Sequence, residues 1–321
     1  MTGWKNNHLV GKKIKDWIIT RLIRINAWLG IAIMFLILAF IAKEAIPLFY
    51  EDEAAAEVGW SRLFLPQNYG TPDAPLRYSW HPVSLEPKYS LAPLILGTFK
   101  VTIIAMIFSV PLSLAAAIYT SEFAPKWARE SLKPAVEMLA GFPSVVLGFF
   151  ALMVLASWTQ DWFGFDYRLN ALVAGLALSL AVIPIIYTVC EDAFSAVPRT
   201  IKEASLALGA SRSQTALRVV LPAATPGVFA AIVLGFGRAI GETMIVLMAS
   251  GNAAITSWSF TDSTRTLATT IAAEMAEVVV GSPHYRVLFF IGLLLFVITF
   301  ALNSIGSWVI WSLRQKLSGR S

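Results

Sequence analysis

Apolar residues recur along this chain in long unbroken runs, without the alternation of a half-buried strand or the three-to-four spacing of a surface helix. Six stretches stand out: Ala27 to Phe49, Leu91 to Tyr119, Ala135 to Trp158, Leu169 to Cys190, Val228 to Ser250 and Val287 to Leu313. A helix of about 20 residues crosses a hydrocarbon core of roughly 30 Å. The pattern therefore predicts an all-α polytopic membrane protein with six transmembrane helices. Lys12, Lys13, Lys15, Arg21 and Arg24 precede the first run, as in a secretory signal. Its apolar core, Ala27 to Ala42, is long for a signal and no Ala-x-Ala pattern closes it, so a retained helix is expected.

Composition supports this picture: 57% of residues are apolar and 14% charged, where soluble chains carry about 25% charge. The net charge of +5 sits beside the apolar runs rather than on one face, so no nucleic-acid partner is expected. Lys5, Lys12, Lys13, Lys15, Arg21 and Arg24 fall on one side of the membrane with Lys126, Arg129, Lys133, Arg199, Lys202, Arg212, Arg218, Arg314, Lys316 and Arg320. Basic residues favour the cytoplasmic side, which puts both termini inside. The expected organisation is a basic leader (1–26), a first helix (27–49), an outer loop (50–90), a five-helix core (91–313) containing a cytoplasmic segment (199–222), and a short tail (314–321). The outer loop opens with Glu51, Asp52, Glu53 and Glu57. It continues with Pro66, Pro72, Pro75, Pro82 and Pro87 among Trp60, Tyr69, Tyr78, Trp80 and Tyr89. Such a loop is expected to be poor in regular structure and suited to contact, or to form an interfacial aromatic belt. In the second outer segment, Gly251 to Arg286, a short helix over Leu267 to Val280 is expected near the outer surface, with a re-entrant path as the alternative.

The candidate chemistry is not catalytic. Cys190 is the only cysteine, and His8, His81 and His284 lie far apart without metal-site spacing, so no disulfide, metal or cofactor is expected. There is no phosphate-binding loop, nucleophile elbow or H-E-x-x-H. Gly235 to Gly241 has three residues rather than two before its last glycine and lies inside an apolar run, which excludes a dinucleotide fingerprint.

Between the fourth and fifth runs, helix formers from after Pro198 to Leu208 meet Gly209, a residue suited to a left-handed C-cap. Ser211 and Ser213 can cap a second helix over Thr215 to Val220, with Pro222 as its end. The product is a helical hairpin at the membrane surface, either a docking knob or an ordinary interfacial hairpin.

Glu203-Ala204-Ser205, three residues, Gly209, nine residues, Val219, one residue and Leu221-Pro222 resemble the E-A-A…G…I-x-L-P signature of permease subunits of ABC-type importers. Ser205 stands for the second Ala and Val219 for Ile. Arg129-Glu130-Ser131-Leu132-Lys133-Pro134 with Glu137 to Val146, Gly237 to Met244, and Ser282-Pro283-His284-Tyr285 are similar to the high-affinity phosphate (Pst) importers, and to the PstC-type subunit rather than PstA. The likeness runs from about Gly97 to the end and leaves the 50–90 loop unmatched. It implies a type I ABC importer permease fold and a non-catalytic inner-membrane subunit of a phosphate importer. The implied partners are a PstA-type second permease, two cytoplasmic PstB-type ATPase subunits, a PstS-type phosphate-binding protein docking outside on the 50–90 and 251–286 loops, inorganic phosphate and the lipid bilayer. Glu203, Ala204, Gly209, Leu221 and Pro222 would couple the spans to the ATPase.

In the fifth run Arg238 and Glu242, four apart, share a helix face. A charge in a span costs at least about 2.5 kcal/mol, so these two either neutralise one another or meet partners on other helices. The functional expectation is that Arg238 lines an anion path and Glu242 holds it between transfers, because a guanidinium fork suits a tetrahedral oxyanion. The structural alternative is a static ion pair. Gly237 and Gly241 form a small-residue stripe expected to serve helix packing, with the second permease as a candidate partner. Lys100 is either an outer electrostatic guide or a snorkelling side chain. Ser144 after Pro143 is a candidate break exposing backbone amides to an anion, and Glu137 is expected to pair with a nearby Arg or Lys. Sulfate or molybdate transport is the nearer alternative function. An ion-coupled transporter is the more distant one, since Glu242 and Glu137 make a thin relay.

Overall fold

The computed structural model describes residues 3–51, 57–68 and 75–317. Asp52, Glu53, Tyr69, Pro72 and the tail from Ser318 lie outside them. No proline interrupts the chain before Pro47, so leader and first run form one helix, α1, Gly3–Ala45, of 43 residues. A 3-10 turn at Ile46–Phe49, with Pro47 in its first turn, ends it. The expected leader of 1–26 is thus not structurally separate, and the first helix stops short of Phe49. Near its carboxy-terminal end α1 packs on the last helix, with Phe40 against Phe289, and its described apolar surface from Trp17 to Leu36 is left uncovered by this chain.

The second, fourth and sixth runs form continuous spans close to expectation. These are α3, Ala92–Ile118, extended by a π-helical turn at Tyr119–Phe123; α6, Ala171–Ser195; and α12, Pro283–Leu317. Helices α3 and α6 pack along one another so closely that a Cβ on Gly175 would lie 2.4 Å from Ile104. Their contact is the axis of the main core, which also holds Val182, Ile186, Tyr187, Ala231 and Ile245.

The third and fifth runs are not single helices. The expected third span, Ala135 to Trp158, divides into an amphipathic helix α4, Lys126–Ala140, and the span α5, Ser144–Phe163. Pro143 cannot donate to the helix before it, and Glu130, Lys133 and Glu137 give α4 a polar face. A crossing helix therefore begins only at Ser144. The expected fifth span, Val228 to Ser250, is α9, Thr225–Ile240, followed by a break at Gly241, Glu242 and Thr243 and then α10, Met244–Ala249. Among the described residues five helices are long and apolar enough to cross a membrane, six if α9 and the bent helix before it are counted as one span.

The described parts of the 50–90 segment hold more regular structure than prolines such as Pro82 and Pro87 imply. They contain α2, Trp60–Phe64, and a two-stranded hairpin of β1, Trp80–His81, and β2, Lys88–Tyr89, paired antiparallel. Trp80 and Tyr89 are buried in a second core with Leu48, Leu63, Leu94, Leu267, Val287 and Ile291, so neither belongs to an aromatic belt. Trp60 stacks on Phe49 instead, with ring centroids 4.2 Å apart. The short helix expected over Leu267 to Val280 ends early: α11 is Leu267–Glu274. Thr266 and Thr269 form its capping box, and its first turn is buried rather than superficial, with the Leu267 amide donating to Thr98 Oγ1 at 3.0 Å.

Candidate functional site

The break in the fifth span places the two charges expected there. From Thr225 to Arg238 is about 20 Å along the helix axis, well inside a hydrocarbon core of roughly 30 Å. Arg238 Nη2 lies 3.7 Å from Glu242 Oε2, an ion-pair contact too long for a hydrogen bond. The Arg238 side chain is 48% exposed and Glu242 only 6%. Among the described residues no hydrogen-bond donor reaches the Glu242 carboxylate. The guanidinium is therefore held loosely by one buried carboxylate, with most of its donors free. At the break the Glu242 amide donates to Ala239 O and Thr243 Oγ1 to Gly241 O, each at 3.3 Å.

The other interrupted span meets this break. Gly148, one turn into α5, faces α10: a Cβ there would lie 2.9 Å from Met248 Sδ and 3.1 Å from the Met244 carbonyl. Ser144 is half-buried at the first position of α5, one turn before Gly148. Gly237 and Gly241 make no close approach within the chain; a Cβ on Gly237 would be 3.5 Å from Asn303, and on Gly241 3.9 Å from its own helix. On the same helix it is Gly227 and Gly235 that pack tightly, their Cβ positions lying 2.4 Å from Ala193 and 2.7 Å from Ile186 on α6. Lys100 is buried and donates to the carbonyls of Ser257 at 3.1 Å and Ser259 at 2.9 Å, which ties α3 to the 251–266 segment.

The hairpin between α6 and α9 consists of α7, Arg199–Ala207, and α8, Arg212–Ala223, which contains a π-helical turn at Ala216–Val220. Gly209 joins them at φ +86°. Ser211 and Gln214 form a capping box, and Ser205 Oγ meets Thr215 Oγ1 at 2.9 Å across the hairpin. Pro222 does not end α8, which runs to Ala223 before the chain bends by 70° into α9. Glu203, Ala204 and Gly209 are exposed, and so are Ile201, Leu206 and Leu208, the last at 90%. Ile201, Leu206 and Leu208 thus form an exposed apolar patch beside Glu203 on a pre-formed hairpin.

Charge pairing near the hairpin falls on residues the sequence did not single out. Glu137 is exposed and forms no ion pair among the described residues. Lys133 instead reaches Glu191 at 2.7 Å and Asp192 at 3.1 Å. The hydrogen bond to Glu191, opposed by partial burial and aided by Asp192, holds the ammonium well above its ordinary range. Lys202 pairs with Glu122 at 2.6 Å.

At the opposite end of the bundle, Glu274 is the centre of a network. It accepts from Trp80 Nε1 at 3.0 Å, pairs with His284 Nε2 at 2.9 Å, and pairs with Arg265. Arg265 Nε also donates to Asn252 O at 3.0 Å. Together these residues line a cavity of about 530 Å³ with His81, Ile255 and Glu277. Burial pushes the Glu274 carboxyl upward, but His284, Trp80 and Arg265 outweigh it and the carboxyl ends below its ordinary value. A depressed carboxylate stabilises the fold above its unfolded-state pKa, and that contribution is lost as pH falls through the folded-state value. Hydrogen exchange in the 80–89 hairpin, corrected for intrinsic rate, is expected to stay slow at neutral pH and to accelerate only below the normal carboxylate range. Glu274→Gln is expected to speed it at neutral pH, by about 3 kcal/mol of lost protection, because Arg265 loses its charged partner, and the difference is expected to close as Glu274 itself protonates at low pH. Identical, pH-independent protection in both proteins would contradict this role. His284 lay within a motif legible in the sequence; its acidic partner, ten residues earlier on another helix, did not.

The start of α5 thus packs on α10 just beyond the break in the fifth span, and sequence comparison says which class of protein this helical bundle is. The family described as binding-protein-dependent transport system inner membrane component matches residues 109–318. The chain belongs to this family: it is a non-catalytic, multi-pass inner-membrane permease subunit of an ABC importer. It is 38% identical over 222 residues to a probable ABC transporter permease, YqgH, of Bacillus subtilis, covering 69% of this chain and 72% of that one. It is 34% identical over 256 residues to the phosphate transport system permease protein PstC of Pasteurella multocida, covering 74% and 79%. Among solved structures, a bacterial alginate ABC transporter in complex with an alginate pentasaccharide-bound periplasmic protein aligns with a TM-score of 0.57 at 16% identity, covering 95% of this chain and 96% of that one. The MetNI methionine ABC transporter aligns at 0.53 with 17% identity, covering 70% and 94%. At these identities the two structures bear on the fold alone.

Proposed function

We propose that this chain is the PstC-type permease of an ATP-driven phosphate importer and forms half of its translocation pathway. The observation that carries the reading is the identity of about one third to PstC permeases across roughly three quarters of the chain. The break at Arg238 and Glu242 supports it physically. A guanidinium with free donors suits a tetrahedral oxyanion, and Glu242 neutralises it when no anion is present. Phosphate entering between this chain and a PstA-type partner would take the donors that Glu242 holds only loosely. Ser144 would lie on the same route, and the Gly237 and Gly241 stripe would face the partner.

In this assignment the hairpin is cytoplasmic, as are both termini, and the 50–90 and 251–286 segments are periplasmic. PstB-type ATPase subunits would dock on the hairpin through Glu203, Ala204 and Gly209 together with exposed Leu206 and Leu208, while Leu221 and Pro222 carry the push toward the 70° bend. A PstS-type binding protein would dock on the periplasmic segments. Lys100 would serve there by fixing the 251–266 segment. The test is uptake of radiolabelled phosphate by cells expressing all four components, with excess sulfate or molybdate present and, separately, with the membrane potential collapsed. Phosphate uptake is expected to resist both treatments and to fail without ATP. Competition by sulfate or molybdate would assign another oxyanion, and uptake that follows the potential would assign an ion-coupled carrier.

A further inference from the structure

We propose that the Lys202–Glu122 ion pair carries movement of the α7–α8 hairpin into α3, a span that the hairpin does not join through the chain. The proposal rests on the reading above that this hairpin receives the push of an ATPase subunit. By covalent connection the hairpin can move only α6, through residues 196–198, and α9, across the bend at Ala224. The second span reaches the same end of the bundle independently, and its last turn, Tyr119–Phe123, is π-helical and carries Glu122.

That turn is held from both sides. Arg129 of α4 donates through Nε to the Thr120 carbonyl at 2.9 Å and through Nη2 to that of Ser121. Ser121 Oγ donates to Glu122 Oε1 at 2.8 Å. The same carboxylate oxygen receives Lys202 Nζ at 2.6 Å, and Lys202 also donates to the Phe194 carbonyl at 3.3 Å. Lys202 thus touches the ends of α3 and α6 at once. Its side chain is 20% exposed and that of Glu122 13%, so salt screens the pair less than an open surface contact. Pulling the two apart would leave a half-buried carboxylate without its cation, which costs more than moving the two spans together. The neighbouring clamp, Lys133 to Glu191 and Asp192, joins α4 to α6 and contains no hairpin residue. Among the ion pairs of the described residues, Lys202–Glu122 is the one that reaches from the hairpin to another span.

The test uses the assembled complex in proteoliposomes, with Lys202→Met, Glu122→Gln and the exchange Lys202→Glu/Glu122→Lys. Each single variant is expected to co-purify with the ATPase subunits and to hydrolyse ATP, while phosphate moved per ATP falls about tenfold, as for a lost coupling between sites. The exchange is expected to recover to within about threefold of the unaltered complex, since the pair is restored with its charges reversed. Three results would overturn the proposal: single variants with an unaltered ratio, an assembled exchange variant that stays uncoupled, or loss of ATPase co-purification in the single variants. A second readout needs no transported ligand. Spin labels at Ser213 and Tyr119 are expected to keep their separation when ATP is added to the unaltered complex, and to change it by several Å in Lys202→Met. Equal behaviour in both would sink the proposal, whereas an unaltered complex that moves no phosphate but passes the label test would count against the phosphate reading alone.

Discussion

Arg238→Gln is expected to abolish phosphate uptake, by at least about 100-fold, while the four-component complex still assembles. Charge-assisted hydrogen bonds contribute roughly 1.5–3 kcal/mol each, and a guanidinium fork supplies two of them to a phosphate. Losing the fork accounts for the full effect. A static packing role predicts something else. If Arg238 served to neutralise Glu242 within the fold, its removal would leave an unpaired buried carboxylate, and that defect costs about 3–5 kcal/mol and shows as lost assembly. The geometry favours the path: the contact is 3.7 Å, and nearly half of the arginine side chain is uncovered. The double variant Arg238→Gln/Glu242→Gln separates the two accounts, because it removes the stranded charge. It is expected to assemble fully and to remain inactive. Recovery of uptake in the double variant would make the pair a scaffold.

Gly209→Pro is expected to leave insertion and basal ATP hydrolysis intact and to reduce uptake by more than about tenfold. Gly209 joins α7 to α8 at φ +86°, a value that proline, locked near −65°, cannot adopt. The substitution also removes the amide that donates to the Leu206 carbonyl at 3.0 Å. The turn must therefore be rebuilt, and the exposed Leu206 and Leu208 change their presentation. Gly209→Ala is the graded control. An L-residue in the left-handed region costs roughly 1–2 kcal/mol, so uptake is expected to fall but not vanish. A Cβ at this position would meet nothing beyond its chain neighbours, so the Gly209→Ala effect comes from the local backbone conformation and not from packing against other elements. Full uptake by an assembled Gly209→Pro complex would remove the hairpin from the coupling route.

How far the fold could be read in advance depended on whether it was written in local pattern. The long apolar runs at α3, α6 and α12 needed only length and hydropathy, and the hairpin needed only Pro198, Gly209 and Ser211, whose backbone preferences act over a few residues. The third and fifth spans were misread for one reason. Apolarity says that a segment is buried in lipid or protein, but says nothing of where a helix inside it is interrupted. Pro143 marked one break and had been suspected through Ser144. The other, at Gly241 to Thr243, contains no proline, and the charges beside it were visible without the break.

The 50–90 segment shows the opposite failure. Five prolines suggested irregular structure, yet Trp80 and Tyr89 are buried against Leu267 and Val287 from the far end of the sequence. No local rule could have paired them. The same holds for Lys202 with Glu122, 80 residues apart, and for Trp80 with Glu274, 194 residues apart. Family likeness pointed to Glu203 and its neighbours as candidate coupling residues, but the charge partner of the adjacent Lys202 became visible only once the spans were packed.

The most direct test of the assignment is reconstitution. Proteoliposomes holding this chain with its second permease and ATPase subunits, with ATP and Mg²⁺ on the hairpin side and phosphate-loaded binding protein on the other, should accumulate phosphate. That accumulation should stop when ATP is withheld or when this chain carries Arg238→Gln. Accumulation that continues without ATP, or a complex that hydrolyses ATP in response to the loaded binding protein yet moves no phosphate, would contradict the assignment.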